Sequence, residues 1–186
     1  MRLIKPSYEI LTDNVGEIQV LQLLEKVART CYKSEDKITL DGESAKRLVK
    51  LLLSRNHEAM LEFYDIIVKF TCYRGVSHEI VRHRIGSFAQ ESTRYVNYSS
   101  GGCTFIIPDW CNNIPELVTN SALELHNAIP ESLQYVGDRE CYDSQFAWAL
   151  YMLRVSNQYQ NLLNMGWKPE QARSVLPNST KTEINV

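Results

Sequence analysis

Apolar residues recur three and four positions apart over 18–33 (IQVLQLLEKVARTCYK) and 42–55 (GESAKRLVKLLLSR), the spacing with which a helix buries one face. That spacing is abandoned over 63–73, where FYDIIVKFTCY collects β-branched and aromatic side chains suited to a pleated surface. A chain carrying both patterns must combine helices with a sheet, so the fold class is α/β. The polar stretch SEDKITLDG between the first two patterns is a loop, and Asp41 or Ser44 is placed to N-cap the second helix.

Further along, Gly75 ends the strand and Ser77 is placed to cap a helix that contains HEIVRHRI and stops near Gly86. The next stretch, SFAQESTRYVNYSSGGCTF, has hydroxyl, amide and glycine groups but little helical period, and reads as an irregular surface loop. Two long helical patterns follow, about 115–136 and 139–164, separated by Val136-Gly137-Asp138. Pro130 should kink or break the first, and Gly166 should end the second. Pro169 suits the first turn of a short helix that runs through EQARSVL towards Pro177 and presents Arg173. No internal repeat, low-complexity tract or shift of composition marks a boundary, which predicts one domain over 1–186.

The totals narrow the function classes. Hydrophobic residues at 44% and charged residues at 23% are ordinary globular proportions. No stretch approaches the roughly 20 apolar residues of a membrane span, and the start MRLIKPSYEI has no long apolar run after its charges, so a cytoplasmic protein is expected. A net charge of -2 argues against a globally basic nucleic-acid binder. The five cysteines, Cys31, Cys72, Cys103, Cys111 and Cys141, are odd in number and form no C-x-x-C pair, which fits neither a disulfide framework nor a zinc ribbon. Most are expected to be small core residues.

Chemistry concentrates between 82 and 94, where Arg82, His83, Arg84, Ser87, Gln90, Glu91, Ser92 and Arg94 fall close together. Guanidinium groups hold phosphate through paired charge-assisted hydrogen bonds, and amides pair with the polar edge of a base. On a helix Arg82 and Arg84 would point in different directions and could serve different ligands. On composition alone the same arginines would make surface ion pairs with Glu79 and Glu91, which contribute little.

Pattern favours a site. The run RHRIGSFAQESTRY resembles the motif of flavin-dependent thymidylate synthases, in which Arg-His-Arg is followed after seven intervening residues by serine and, two further on, by arginine. NHEAMLEF at 56–63 is similar to that family's upstream His-x-x-x-x-Glu segment, and EQARSVLP at 170–177 to its downstream Ala-Arg-x-x-Leu-Pro. The resemblance implies a central, mostly antiparallel sheet flanked by long helices. It also implies methylation of dUMP to dTMP, with methylenetetrahydrofolate as one-carbon donor and NADPH as reductant through bound FAD. No cysteine here follows a proline or precedes a histidine, as the nucleophile of the cysteine-dependent synthases does.

Carried over by position, the resemblance implies that His57, Ala59, Arg82, His83, Arg84 and Gln90 bind FAD. Glu79, Arg82, Gln90, Glu91, Ser92, Thr93, Arg94 and Arg173 would hold the nucleotide, with Ser92, Arg94 and Arg173 closest to catalysis through substrate positioning. Ser92 suits hydrogen bonding better than nucleophilic attack, since no partner base lies near it in sequence. Glu79 stands where many relatives carry glutamine, and a carboxylate there repels a phosphate unless an arginine intervenes. The family forms homotetramers that share sites between subunits. Its chains normally continue past the TKTEINV region into a segment bearing the arginine that activates the uracil, which is expected beyond Val186. If 186 residues are the whole molecule, impaired catalysis with a retained fold is expected.

Two other readings compete. HEIVRH at 78–83 superficially resembles H-E-x-x-H, but histidines five apart lie about 140° apart around a helix and cannot readily share one metal, so no metal is assigned. A non-catalytic nucleotide or single-stranded nucleic-acid binder would use the arginines with Phe88, Tyr95 and Tyr98 as stacking surfaces. The negative net charge and the lack of a groove-length basic stripe count against it. The helix around Trp148 and Tyr151 reads as core or subunit interface.

Overall fold

The computed structural model describes residues 1–12, 15–130 and 143–186. They form two compact units, Ile10–Val68 on one side and Met1–Glu9 with Lys69–Val186 on the other.

The smaller unit is a helical hairpin. Helices α1 (Glu17–Thr30) and α2 (Glu43–Ser54) lie where the apolar spacing predicts them. They bury Leu24 and Ala28 from the first against Ala45, Val49 and Leu52 from the second. A fully buried large aliphatic side chain contributes about 1.5–3 kcal/mol, so these few positions dominate the unit's stability. The start of α2 differs from the expectation. Gly42, at φ 77°, occupies the N-cap, and Asp41 Oδ1 accepts from the Glu43 amide at 3.0 Å from one residue further out. Ser44 lies inside the helix and is buried, and its hydroxyl donates to Glu25 Oε2 at 2.8 Å. Glu25 is fully buried, and its other oxygen accepts from Arg29 Nε and Nη2, both at 2.7 Å. A 3-10 turn (Glu58–Phe63) follows α2.

In the larger unit, the strand read at 63–73 is confined to β3 (Val68–Tyr73); Phe63 belongs to the 3-10 turn and 64–67 to neither element. Its sheet has the order β2-β3-β7-β4, with β2 at Ser7–Ile10, β4 at Ala89–Gln90 and β7 at Lys181–Asn185. β7 runs antiparallel to both neighbours, with Thr71 opposite Glu183 and Gln90 opposite Ile184. A second sheet has the order β5-β1-β6, formed by β1 (Arg2–Ile4), β5 (Thr104–Ile106) and β6 (Leu117–Val118). β1 is parallel to β5 and antiparallel to β6. The mixed architecture is as expected.

The helical pattern at 115–136 resolves differently. β6 takes its beginning, and α4 (Ala122–Ala128) starts only after Ser121, whose hydroxyl accepts from the Glu124 amide at 3.1 Å. Ser121 and Glu124 are spaced as in a capping box, so this helix-start signal outweighs the apolar period before it. Pro130 follows the helix end, as its missing donor requires. Residues 131–136 and 139–142, the separator Val136-Gly137-Asp138 and Cys141 lie outside the described residues. α5 (Ser144–Asn164) is capped by Asp143, whose Oδ1 accepts from the Gln145 amide at 2.8 Å. It packs Phe146, Ala149, Met152, Leu153 and Tyr159 into a core with Met1, Leu3, Phe105 and Leu125. Gly166, at φ 91°, closes it as predicted, with the Trp167 amide returning to Leu162 O at 3.0 Å. α6 (Pro169–Ala172) then begins on the proline and passes into a 3-10 turn at Arg173–Val175. No helix among the described residues is long and apolar enough to cross a membrane.

Glu25 supplies a test of the smaller unit. Arg29→Met leaves its buried carboxylate half-satisfied and should destabilise the protein by about 3 kcal/mol in urea unfolding, whereas Glu25→Leu combined with Arg29→Met should cost clearly less. Equal or additive losses would contradict this account.

Candidate functional site

The cluster from Arg82 to Arg94 is organised by a helix shorter than the sequence suggests. α3 (Arg74–Ile80) starts directly from β3, so Gly75 and Ser77 lie inside it instead of ending the strand and capping the helix. Ser77 is buried, donates its hydroxyl to Arg74 O at 3.0 Å and accepts from Gln90 Nε2 at 2.7 Å. After Ile80 the chain leaves the helix through turns, with the His83 amide donating to Ile80 O at 3.1 Å and the Gly86 amide to His83 O at 3.0 Å. The apolar positions that would have carried the helix onward have no core to bury against, since Ile85 is 104% exposed. Arg82, His83 and Arg84 therefore lie on an exposed turn, and the helical geometry used to separate them, and His78 from His83, does not apply. Their side chains, like that of Glu79, are exposed and make no ion pair among the described residues. The surface-pairing alternative fails for Glu91 too, whose carboxylate meets Lys181 Nζ at 3.0 Å.

The following stretch is far more tied down than a surface loop. Gln90 in β4 spends its amide donors on Ser77 and on Thr182 Oγ1 at 3.1 Å. Glu91 donates its amide to Glu183 O of β7 at 2.9 Å, and its Oε2 accepts in return from the Glu183 amide at 3.2 Å. Its other oxygen accepts from the Tyr98 hydroxyl at 2.8 Å. Between these two residues, Ser92 O accepts from the Tyr95 and Val96 amides at 3.2 and 3.0 Å, and Ser92 Oγ accepts from the Arg94 amide at 3.3 Å. The Ser92 hydroxyl is thus left to donate outward. Thr93 is buried, and its Oγ1 accepts from Arg173 Nη1 at 3.1 Å, while Arg173 Nε donates to Glu170 O at 3.1 Å. This contact joins the Arg82–Arg94 motif to the downstream EQARSVLP motif. Arg94 is exposed, with its guanidinium carbon 5.5 Å from the Tyr95 ring centre.

Two contributors escaped the sequence reading, and a third, Tyr98, was read there only as a stacking surface. Arg74 has a buried Nη1 without a hydrogen-bond partner among the described residues, a donor within electrostatic range of the Tyr98 hydroxyl. Lys181 and Tyr98 hold Glu91. All three lie outside the Arg82–Arg94 run, and a run of types alone carries no signal for such supports.

His57 and Ala59 belong to the smaller unit, at the entry to its 3-10 turn. With Ala28, Cys31, Tyr32, Leu52, Asn56, Glu58 and Met60 they line a cleft of about 310 Å³. Cys31 is exposed, whereas Cys72, Cys103 and Cys111 are buried. Burial raises all three of these thiols, Cys103 to about 11, which disfavours the thiolate a nucleophile would need.

Residues 17–186 match the model of the family described as Thymidylate synthase complementing protein. The chain belongs to that family. Flavin-dependent thymidylate synthases from Pyrococcus furiosus and Geobacter sulfurreducens are 30% identical over 136 residues and 29% identical over 164 residues. Those alignments cover 73% and 86% of this chain but 46% and 59% of the relatives, so the chain spans about half the length of these thymidylate synthases. The fold of the family is seen in solved structures. A UMP/dUMP methylase, PolB from Streptomyces cacaoi bound with 5-Br dUMP, superposes with a TM-score of 0.63 at 22% identity, covering 100% of this chain and 73% of that one. Thymidylate Synthase X from Helicobacter pylori with FAD and dUMP gives 0.56 at 20% identity, covering 100% and 76%.

In this member of the thymidylate synthase complementing family, Lys181 lies between the carboxylates of Glu91 and Glu183. Burial pulls Lys181 down, but hydrogen bonds to Glu183 and Glu91 outweigh it and the net shift is upward. The hydrogen bond from Lys181 holds Glu183 below its ordinary value. A lowered carboxylate contributes stability that is complete above its unfolded pKa of about 4.3 and is lost as pH falls through the folded value. A raised lysine contributes stability that is complete below about 10.4 and is lost as pH rises through the folded value. Melting temperature should therefore fall at both ends, and Lys181→Met should flatten both arms; a profile unchanged by the substitution would refute the assignment.

Proposed function

We propose that this chain acts in FAD-dependent methylation of dUMP to dTMP, taking its one-carbon unit from methylenetetrahydrofolate and its reducing equivalents from NADPH. The observation that carries the reading is the pairing of two unlike neighbourhoods in one motif. Arg82, His83 and Arg84 are exposed and uncommitted, whereas Ser92 and Arg94 ride on a loop fixed at both ends. Free guanidinium groups suit phosphate, and a fixed hydroxyl and cation suit a substrate that must be held in one orientation.

FAD fits the donor set. The unpartnered Nη1 of Arg74 and the uncommitted forks of Arg82 and Arg84 supply cationic donors for the phosphates of a dinucleotide, of FAD or of dUMP. The cleft beside His57 and Ala59 offers a partly apolar wall of the kind a flavin requires. We assign His57, Ala59, Arg82, His83, Arg84 and Gln90 to FAD, and Glu79, Arg82, Gln90, Ser92, Thr93, Arg94 and Arg173 to dUMP; Glu91, expected from the motif to hold the nucleotide too, spends its carboxylate on Tyr98, Lys181 and the Glu183 amide instead. When bound, FAD supplies the redox chemistry. The chain's own residues bind, orient and polarise. Arg94 and Arg173 neutralise the nucleotide's charge, Thr93 sets the Arg173 fork, and the Ser92 hydroxyl donates to the substrate without acting as nucleophile. The chain acts as one catalytic domain in a cytoplasmic homotetramer whose sites are shared between copies.

Purified protein should be yellow and release FAD on denaturation, and Arg82→Ala should lose most of the colour. Arg94→Ala should weaken dUMP binding in calorimetry about 10- to 100-fold while leaving the flavin in place. A colourless protein whose affinity is instead for oligonucleotides, and falls steeply with salt, would replace this reading with a nucleic-acid binder.

A further inference from the structure

The carboxylate of Glu91 is spent largely on donors from inside the protein. It accepts from the Tyr98 hydroxyl at 2.8 Å, from Lys181 Nζ at 3.0 Å and from the Glu183 amide at 3.2 Å, and only 14% of the side chain is exposed. A carboxylate with three donors, one of them cationic, has little capacity left for a ligand. The neighbouring geometry shows what those bonds fasten. The Glu91–Tyr98 hydrogen bond closes the 91–98 loop that carries Ser92 and Arg94. One end is attached to β7 through Lys181 and the backbone of Glu183, and the other to α5, where Gln160 Nε2 donates to Tyr98 O at 2.8 Å and Tyr159 meets the Tyr98 ring edge-on at 5.9 Å.

Resting on the nucleotide reading above, we propose that Lys181 and Tyr98 are positioning residues for dUMP: through Glu91 they set the loop that presents Ser92 and Arg94, and Glu91 itself is this loop's anchor and not a contact to the substrate. The alternative duty for these groups is a plain ion pair that stabilises the sheet. The two differ in what happens when charge is kept and when only the hydroxyl is removed. A loop held open at one end loses the preorganisation that a bound ligand exploits, so affinity suffers beyond any loss of stability. A long cation in place of Lys181 reaches the same carboxylate and restores the loop.

The test uses the full chain and measures two things, dUMP affinity by calorimetry and hydrogen exchange of the amides of 92–96. Lys181→Met should weaken dUMP about tenfold or more and speed exchange in the loop, and Tyr98→Phe, which leaves the ring packing intact, should do the same to a smaller degree. Lys181→Arg should bind within about threefold of the parent, since both side chains carry a cation on a long stem. The proposal is overturned if Lys181→Met and Tyr98→Phe leave both readouts unchanged, or if affinity falls only in step with melting temperature and arginine fails to rescue it. A parent chain that does not bind dUMP would overturn the nucleotide reading instead, while exchange in the loop still decides whether Lys181 and Tyr98 hold it.

Discussion

Strand β7 is the constraint on which the larger unit depends. Its pleat sends alternate side chains to opposite faces, so Thr182 and Ile184 are buried while Lys181 and Glu183 lie on the other side. β4 repeats the alternation in register, placing Gln90 on the face of Thr182 and leaving Glu91, just beyond the strand, on the face of Lys181 and Glu183. A shift by one residue would exchange the two sets, burying a lysine and a carboxylate and exposing Ile184. The hydrogen-bond register of a two-residue strand thus decides which motif residue is spent on internal structure and which way the next ones face.

This explains why the motif looks more uniform in sequence than in space. Its early residues sit on turns where their side chains make no ion pair among the described residues, its middle residues are consumed by the fold, and its later ones are displayed by a closed loop. Charge density alone does not distinguish these conditions, because an arginine on a free turn and a glutamate clamped by lysine contribute equally to a count. Burial and partner identity separate them, and both are set by residues far away in the chain.

The helices at Glu17–Thr30 and Glu43–Ser54 were legible because each buries one face against the other, and a buried helix face leaves a regular apolar period in the sequence. The strands β1, β5 and β6, with two or three residues each, leave none, since their stability comes from partners such as Arg2 and Thr104 that meet only in the fold. β7 hid for a different reason: KTEIN fills a buried position with Thr182, so its alternation is not one of hydrophobicity. The readings that failed did so where a local capping signal, as at Ser121, or the absence of a core to bury against, as at Ile85, outweighed an apolar period. In the candidate site the order of the motifs was readable, but the supports at Arg74, Tyr98 and Lys181 were not.

The bond between Thr93 and Arg173 spans 80 positions, and that between Glu91 and Lys181 spans 90. Contacts of such separation close large loops of chain, and their entropic cost is met only after much of the surrounding structure exists. The 91–98 loop is consequently a late product of folding: a short peptide carrying the Arg82 to Arg94 motif would have its residue types without its shape, which belongs to the completed tertiary structure.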